Sequence, residues 1–389
     1  MDVAKKAVVD LVNGLQPEIE QIATSIGQHP ELGHHENYAV KICTEFLTGC
    51  GFTLIKGVGG LPTAFRAEFS RGNPGPLVAF LAEYDALPGI GHGCGHNLIG
   101  AASIGAAAAL AKMADLPGTV LVMGTPAEET SGGKVTLTAE GLFEAADVAM
   151  MFHPGSQNVA EITSLALDAV QFEFIGKAAH AASAPSYGVN ALDALINFFL
   201  QINVLKKQID GDSRINGIIT EGGVTPNIIP ERAVARFYLR SSKRRNLDKL
   251  RAKVINCAEK AAAMVGARVT WSKFELSYDE MCTNRTLAGV FAKNLRGLGV
   301  NRIIPAQAAI GSVDMGNVSK VVPAIHPYLI LGDGAAIPHT REFAEVALSE
   351  QGCDLAVLAA KALALTAWDV LTDTKLLQRI KHEFAQTMG

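Results

Sequence analysis

The sequence predicts an α/β fold with two domains, and two observations carry that prediction. The first is a set of three nearly continuous apolar runs, each followed by a loop rich in polar residues and glycine, which is typical of parallel strands buried on both faces of a sheet. The second is a later stretch in which apolar and polar residues alternate, as in a sheet with one wet face. The apolar runs are Leu77–Ala82, Gly118–Gly124 and Asp147–Phe152.

The alternating stretch indicates a compact domain inserted into the first. Its β-α-β-β-α-β order describes a ferredoxin-like α+β domain. We expect this domain to occupy residues 166–280, and residues 1–165 with 281–389 to form a discontinuous α/β catalytic domain. Strands are predicted near 169–175, 214–220, 232–239 and 268–271, with helices over 190–207 and 247–265.

Both ends of the discontinuous domain read as helical. Residues 1–16 have the apolar spacing of an amphipathic helix, and two further helices are expected between Gln16 and Cys50 on either side of the corner at His29–Gly33. Towards the other end, a loop is expected over Ala309–Ser319. The last helix is predicted over Glu350–Thr372.

Composition argues for a globular protein with a small-molecule partner. The 389 residues are 49% hydrophobic, carry a formal net charge of -4 and have a sequence pI near 6.2. Basic residues are mixed with acidic ones apart from the short run at Lys243–Arg245, so neither a nucleic-acid surface nor a membrane surface is indicated.

Targeting signals and cysteine usage predict a cytoplasmic location. The N-terminal stretch lacks the unbroken apolar core of a signal peptide, and no span is expected to approach the roughly 20 apolar residues that cross a bilayer. Six cysteines lie scattered without the spacing of a disulfide framework, which favours reduced thiols.

A loop of seven residues after the first apolar run gathers metal-binding side chains. Gly91–Asn97 holds Cys94 between two histidines and includes three glycines, and a helix-forming alanine-rich run follows it. Thiolate and imidazole are ligands for zinc and related metals, and glycine lets the backbone bend around an ion. The alternative is a glycine-rich turn that holds a buried cysteine, since a Cys-x-His pair lacks the paired-cysteine spacing of structural zinc sites.

Acidic residues and a histidine follow the strands in the same way. Glu128 and Glu129 come after the second strand, where one can bind metal while the other acts as general base; alone, such a pair is usually a solvated turn. Asp85 follows the first strand and could orient a ligating histidine, or merely solvate the strand end. His153 ends the third run. Ligands gather at the carboxyl edge of an open sheet, so these side chains are expected to meet.

With these motifs in order, the chain resembles the M20 metallopeptidase family, and most of all its amidohydrolase subfamily. The resemblance extends from about Pro17 to the last helix. It is carried by Asp85, the sequence Gly-His-Gly-Cys-Gly-His-Asn, the sequence Pro-Ala-Glu-Glu and the sequence His-Pro-Gly. The sequence Gly-Ser-Val-Asp-Met-Gly-Asn-Val-Ser is similar to the branch that holds aminobenzoyl-glutamate hydrolases and dipeptidases releasing a basic residue.

The resemblance implies a metal-dependent exopeptidase-like catalytic domain with two divalent ions. Zinc, manganese and cobalt all fit the mixed ligand set. Glu128 stands at the position of the general base, and Asp85 is expected to support a ligand from behind. The implied metal ligands are Cys94 as the bridging group, His96, Glu129, His153 and His339.

The inserted domain is similar to the family's lid, through which subunits form homodimers. His180 and Asn227 match residues that contact substrate, and His180 is implied to reach the partner's site. Arg240 occupies a frequent arginine position and is implied to meet a carboxylate. Ordinary turn chemistry is the alternative for His180 and Asn227, and helix capping is the alternative for His339.

Two positions depart from the family's broader pattern. Glu83 stands where other M20 branches have a histidine, so Glu83 is left out of the ligand set. Asn97 stands where many members of the subfamily have aspartate, which bears on substrate fit. His92 and His326 lie near the motifs but receive no ligand role.

The expected activity is hydrolysis of the amide bond of N-acyl or aminoacyl amino acids, aminobenzoyl-glutamate-like conjugates among them, with Glu128 as general base toward a metal-activated water. One alternative is a dipeptidase for substrates ending in a basic residue or beginning with β-alanine. An alternative from another class is a non-catalytic partner chain of a homologous hydrolase.

Overall fold

A computed structural model describes residues 2–209, 211–306 and 311–388. Its longer helices are α1 (Val3–Gly14), α2 (Gln16–Gln28), α3 (Asn37–Gly49), α4 (His96–Ala111), α5 (Gly133–Ala139), α6 (Ala191–Leu205), α7 (Arg244–Val265), α8 (Arg285–Gly297), α9 (Met315–Val321), α10 (Arg341–Ala347), α11 (Glu350–Thr372) and α12 (Thr374–Met388). Its strands are β1 (Thr53–Lys56), β2 (Phe65–Ser70), β3 (Leu77–Ala82), β4 (Thr119–Gly124), β5 (Val148–Met150), β6 (His153–Gly155), β7 (Ala166–Ile175), β8 (Arg214–Glu221), β9 (Arg232–Ser241), β10 (Arg268–Lys273), β11 (Ala324–Ile325) and β12 (Tyr328–Ile330).

The predicted α/β class is confirmed, and the described chain divides into two compact units. The first unit comprises residues 2–163, 281–306 and 314–388. The second comprises residues 164–209, 211–280 and 311–313. Of the expected loop over Ala309–Ser319, Ala309 and Ile310 lie outside the described residues, and Met315–Ser319 belong to helix α9.

The first unit is built on a six-stranded sheet in the order β1-β2-β4-β3-β5-β11. Strands β4, β3 and β5 are neighbours and parallel, so the loops that follow them leave the sheet at one edge. Their side chains are almost all buried, as the continuous apolar runs predicted. This arrangement places the sequences after Ala82, Gly124 and Met150 side by side.

The third apolar run differs from its prediction. It does not end at His153; the backbone breaks after Met150, and His153 begins the separate strand β6. Strand β6 pairs in parallel with β12, and His153 lies opposite Tyr328. The reason is that the segment after β11 follows the third run in register, pairing first with β5 and then with β6.

Helices at both ends of the chain cover this unit. The helix predicted to be the last, α11, is followed by α12, which the sequence patterns did not indicate. Among the described residues α11 is also the one helix long and apolar enough to cross a membrane, contrary to the expectation that no span would approach that length. Because 78% of its apolar window is buried inside the protein, its composition is that of a core helix.

The second unit has the β-α-β-β-α-β order that the alternating pattern predicted. Its four strands form a sheet in the order β10-β7-β9-β8, entirely antiparallel. Helices α6 and α7 cover one face, and the core between them and the sheet includes Phe172, Phe198 and Phe237. Asn190 starts α6 as an N-cap, its side chain accepting from the backbone N–H groups of Leu192 and Asp193.

Candidate metal centre

The first helix after strand β3 carries His96 into the interior. Gly95 precedes this helix with φ +72°, and a Cβ there would stand 2.6 Å from Pro154 Cγ, so the position requires glycine. Asp85 holds His96 in place, with Oδ1 3.0 Å from Nδ1. The other oxygen of Asp85 accepts the backbone N–H of Glu129 at 3.0 Å. Asp85 therefore fixes two predicted ligands at once and leaves His96 Nε2 for an ion.

A strained backbone presents the two adjacent glutamates. Ala127, directly before Glu128, has φ +60°, which is costly for a residue with a Cβ. The buried carboxylate of Glu36 accepts the Ala127 backbone N–H at 2.8 Å and so holds this conformation. Glu36 lies in a region whose sequence pattern suggested only scaffold, and no local signal indicated this role.

His153 is also oriented through one ring nitrogen. Its Nδ1 lies 2.6 Å from the carbonyl oxygen of Pro154, which favours Nε2 as the ligating atom. The ring packs between Tyr328, with centroids 4.9 Å apart, and His326, with centroids 5.5 Å apart. Burial, with the charge of His96, lowers the pKa of His153 to about 4, so the neutral ring that binds metal is favoured.

His339 arrives from the loop before helix α10. It has φ +67°, and its backbone N–H donates to the carbonyl oxygen of Gly93 at 2.9 Å, which attaches it to the loop that holds Cys94. Its Nε2 lies 3.8 Å from Glu129 Oε1. Its side chain is 60% exposed, in contrast to the other predicted ligands.

The structure brings all five predicted ligands together in two groups that share Cys94. In each group one donor atom per residue lies within 4.8 Å of every other. The first group is Cys94, His96 and His153, and the second is Cys94, Glu129 and His339. His96, Glu128 and Glu129 satisfy the same distance, which sets Glu128 beside both groups.

These residues fit a divalent metal on chemical grounds. His96 Nε2 and Glu129 Oε1 are buried and make no hydrogen bond among the described residues, a costly state unless a cation occupies the space between them. Burial and the neighbouring Glu129 raise the pKa of the Cys94 thiol, and a cation would reverse that effect. Thiolate, imidazole and carboxylate together suit zinc and related ions.

Glu128 lies in surroundings that favour holding a proton. Burial and the carboxylates of Asp314 and Glu83 raise its pKa well above the usual value. A general base in hydrolysis must accept a proton and later release it, so this environment matches the predicted role.

An ion cluster that no sequence motif predicted lies beside this glutamate. Lys134 Nζ lies 2.5 Å from Glu83 Oε1 and 2.7 Å from Asp314 Oδ1, and none of the three residues is more than 1% exposed. Although burial opposes each charge, Asp314 and Glu83 raise the pKa of Lys134, while Lys134 and His96 lower that of Glu83 to about 2. The pairing joins positions 180 residues apart, so no local spacing announces it.

The remaining predicted residues belong to the second unit. His180 is exposed, and its Nδ1 accepts the backbone N–H groups of Ala182 and Ser183, each at 3.2 Å. The proton of the neutral ring is therefore on Nε2, which can donate. The Asn227 carbonyl accepts the Ala181 N–H at 3.0 Å, so the two predicted substrate residues lie on adjacent loops.

Arg240 lies on strand β9 of the same unit. Its guanidinium stacks over the Tyr238 ring at 5.1 Å from the centroid. The structure does not group it with His180 and Asn227, and its predicted contact with a carboxylate stays a prediction.

Comparison with known proteins decides the family. The profile of Peptidase family M20/M25/M40 matches residues 79–362, nearly three quarters of the chain. The chain belongs to the M20/M25/M40 peptidase family. This confirms the resemblance drawn from the motifs and makes the protein a hydrolase acting on peptide or amide bonds.

Relatives within this family are similar over most of the chain. The mouse Xaa-Arg dipeptidase is 38% identical over 99% of this chain and 93% of its own length. One of the two Escherichia coli p-aminobenzoyl-glutamate hydrolase polypeptides is 32% identical over 75% of this chain and 64% of its own length.

Solved structures show the same fold. An aminobenzoyl-glutamate utilization protein from Klebsiella pneumoniae aligns with a TM-score of 0.71 at 21% identity, covering 91% of this chain and 97% of its own. A dinuclear metal-binding M20 peptidase from Bacillus subtilis aligns with a TM-score of 0.70 at 19% identity, covering 92% of this chain and 99% of its own.

Proposed function

We propose that this protein is a metal-dependent dipeptidase that releases a C-terminal basic residue. The observation that carries the hydrolytic part is Cys94 shared between two donor groups with Glu128 beside them. The substrate class is supported by 38% and 37% identity to mouse and human Xaa-Arg dipeptidases, each over 99% of this chain. The dipeptidase alternative thus takes precedence over the aminobenzoyl-glutamate hydrolase.

We further propose that the site holds two divalent ions, zinc or manganese, with cobalt as a substitute. Cys94, His96 and His153 would hold one, and Cys94, Glu129 and His339 the other. When bound, such ions supply Lewis-acid chemistry, making water more acidic and polarising the carbonyl of the scissile amide. Asp85 keeps His96 and the Glu129 backbone in position for this.

The residues of the chain then carry the proton. The Glu128 carboxylate accepts a proton from the attacking water, whose oxygen bonds to the carbonyl carbon. As the C–N bond breaks, Glu128 returns that proton to the departing amine nitrogen, which leaves a carboxylate and a free amino acid. His180 Nε2–H donates to the oxygen that gains negative charge, a contact of the kind that oxyanion holes make.

We propose a homodimer formed through the second unit. Helix α6 exposes a stripe of large apolar side chains at spacing four, and Ile218 and Ile219 are exposed on the edge strand β8. An exposed apolar edge of this kind commonly pairs with a second copy. The stripe consists of Ile196, Leu200 and Val204, which are 45%, 59% and 56% exposed. A cytoplasmic location stays a prediction.

Hydrolysis of a substrate panel tests the proposal. Purified protein loaded with Zn²⁺, Mn²⁺ or Co²⁺ would be assayed on dipeptides ending in Arg or Lys, on β-alanyl dipeptides, on N-acyl amino acids and on aminobenzoyl-glutamate. We expect the highest kcat/KM on dipeptides ending in a basic residue. Glu128→Ala should keep its metal content and lose at least about a hundredfold in kcat, the usual scale for a general base.

The outcomes separate the alternatives. Preference for aminobenzoyl-glutamate would restore the hydrolase of that conjugate as the function. A metal-loaded wild type that cleaves no member of the panel would favour the non-catalytic partner chain. Unchanged turnover in Glu128→Ala would remove this residue from the mechanism. Glu140→Ala, an exposed glutamate at the end of helix α5, serves as the matched control and should behave as wild type.

A further inference from the structure

Lys134 is a buried cation at the metal centre to which the proposed mechanism gives no task. Its side chain is fully buried, and a buried ammonium needs compensating charge. Asp314 binds it twice, through Oδ1 to Nζ at 2.7 Å and through Oδ2 to its backbone N–H at 3.1 Å. Lys134 lies in the first turn of α5 and Asp314 immediately precedes α9, so the side chain is held by two helix starts.

Glu83, the other partner of Lys134, faces the metal centre. Its Oε2 lies 3.4 Å from His96 Nε2, the nitrogen that Asp85 leaves for an ion. Both atoms are buried and make no hydrogen bond among the described residues. A carboxylate so near a divalent ion is itself an effective ligand unless something restrains it.

The geometry shows such a restraint. Glu83 takes part in none of the three donor groups, whose atoms lie within 4.8 Å of one another. Its Oε1 is instead 2.5 Å from Lys134 Nζ, a close charge-assisted contact. The ammonium thus neutralises the carboxylate and binds one of its oxygens on the side occupied by Asp314.

We propose that Lys134 is a positioning residue that keeps Glu83 out of the metal coordination shell. The shell is then limited to the shared Cys94 and two further ligands per ion, which leaves positions open for water and substrate. Without the ammonium, Glu83 would turn towards the ion beside His96 and close that position. This inference rests on the proposed metal centre.

Cobalt spectroscopy tests it without relying on activity, since the visible spectrum of Co²⁺ reports the number and kind of its ligands. The full-length wild type, Lys134→Met, Lys134→Arg, Glu83→Gln and the double variant Lys134→Met with Glu83→Gln would each be titrated with Co²⁺. We expect Lys134→Met to bind Co²⁺ about tenfold or more tightly, because a carboxylate joins the ion and a cation leaves its vicinity. Its spectrum should change and its kcat should fall.

The other variants isolate the cause. Glu83→Gln alone and the double variant should keep the wild-type spectrum, and Lys134→Arg should remain close to it because the charge is kept. A changed spectrum or weakened Co²⁺ binding in Glu83→Gln would overturn the inference, since Glu83 would then be a ligand. So would a Lys134→Met protein that loses thermal stability while its spectrum stays unchanged.

If Lys134→Met does not fold, Glu83→Gln decides alone by the same two readings. A wild type that takes up no Co²⁺ would overturn the proposed function and this inference with it. Uptake by the wild type together with either contrary result would overturn the inference only.

Discussion

The two units present their predicted functional residues in opposite ways. In the first unit, Cys94, His96 and His153 are at least nine-tenths buried, and each histidine has a second contact that fixes its ring. In the second unit, His180 and Asn227 are exposed on loops, and the hydrogen bonds that shape them are mostly to backbone groups of those loops. One set is held by a packed core and the other by turn geometry.

This difference indicates a division of labour. Ligands that must meet an ion within a few tenths of an ångström gain from rigid neighbours. A donor that acts only when substrate is bound can lie on an exposed loop, and loops of this kind commonly close on their substrate. The first unit should therefore bind metal by itself, whereas the second should affect turnover more than metal binding.

The largest expected effect concerns the core of the second unit. Phe198→Ala removes a ring packed 5.0 Å from Phe172 and 5.2 Å from Phe237, and should lower the free energy of unfolding of that unit by about 3–5 kcal/mol. Denaturant titration measures this. Asn203→Ala, an exposed change on the same helix, should stay within about 0.5 kcal/mol of wild type. Loss of metal affinity in Phe198→Ala would break the proposed independence.

A smaller effect is expected at the exposed donor. His180→Ala should lower kcat by about 100- to 1000-fold, the range for one oxyanion donor, with unchanged metal content. Steady-state kinetics and metal analysis check this, and Ser183→Ala in the same loop is the matched control, because it keeps the backbone N–H that orients His180.

The same variant tests whether His180 serves the partner's site. Protomers carrying Glu128→Ala and protomers carrying His180→Ala would be co-expressed with different affinity tags, and the mixed dimer isolated. If His180 reaches across, one of its two sites combines an intact Glu128 with an intact His180, and activity returns. A mixed dimer as inactive as both parents would show that His180 acts within its own protomer.

A further step down in size is expected for the carboxylate behind His96. Asp85→Asn should weaken metal binding by about 10- to 100-fold, because it loses the charge that orients the imidazole and holds the Glu129 backbone. Equilibrium dialysis against Co²⁺ measures it. Asp115→Asn removes an equal charge from an exposed turn and should leave the affinity unchanged.

Much of the first unit could be predicted from sequence because its signals are local. The run Leu77–Ala82 coincides with strand β3, and the side chains after three parallel strands meet as the strand-end argument expected. Composition and periodicity also placed the α+β order of the second unit. His339 could be placed only through the family resemblance, since nothing near it indicates an ion.

What the sequence did not reveal depends on contacts between distant segments. Glu36 supports Ala127 across 91 positions, and Lys134 meets Asp314 across 180. Strand β6 forms because β12 pairs with it, so the third apolar run alone could not show where it would break. Helix α12 was missed because the long apolar helix before it looked like a natural end.

Counting divalent ions per chain tests the central claim most directly. Wild type and Cys94→Ala would be dialysed against Co²⁺ or Zn²⁺ and analysed for bound metal and dissociation constants. We predict two ions per wild-type chain and weakened binding of both in Cys94→Ala, because both donor groups share that thiolate. A wild type that binds no metal, or a Cys94→Ala protein that holds two ions with unchanged affinity, would contradict the account.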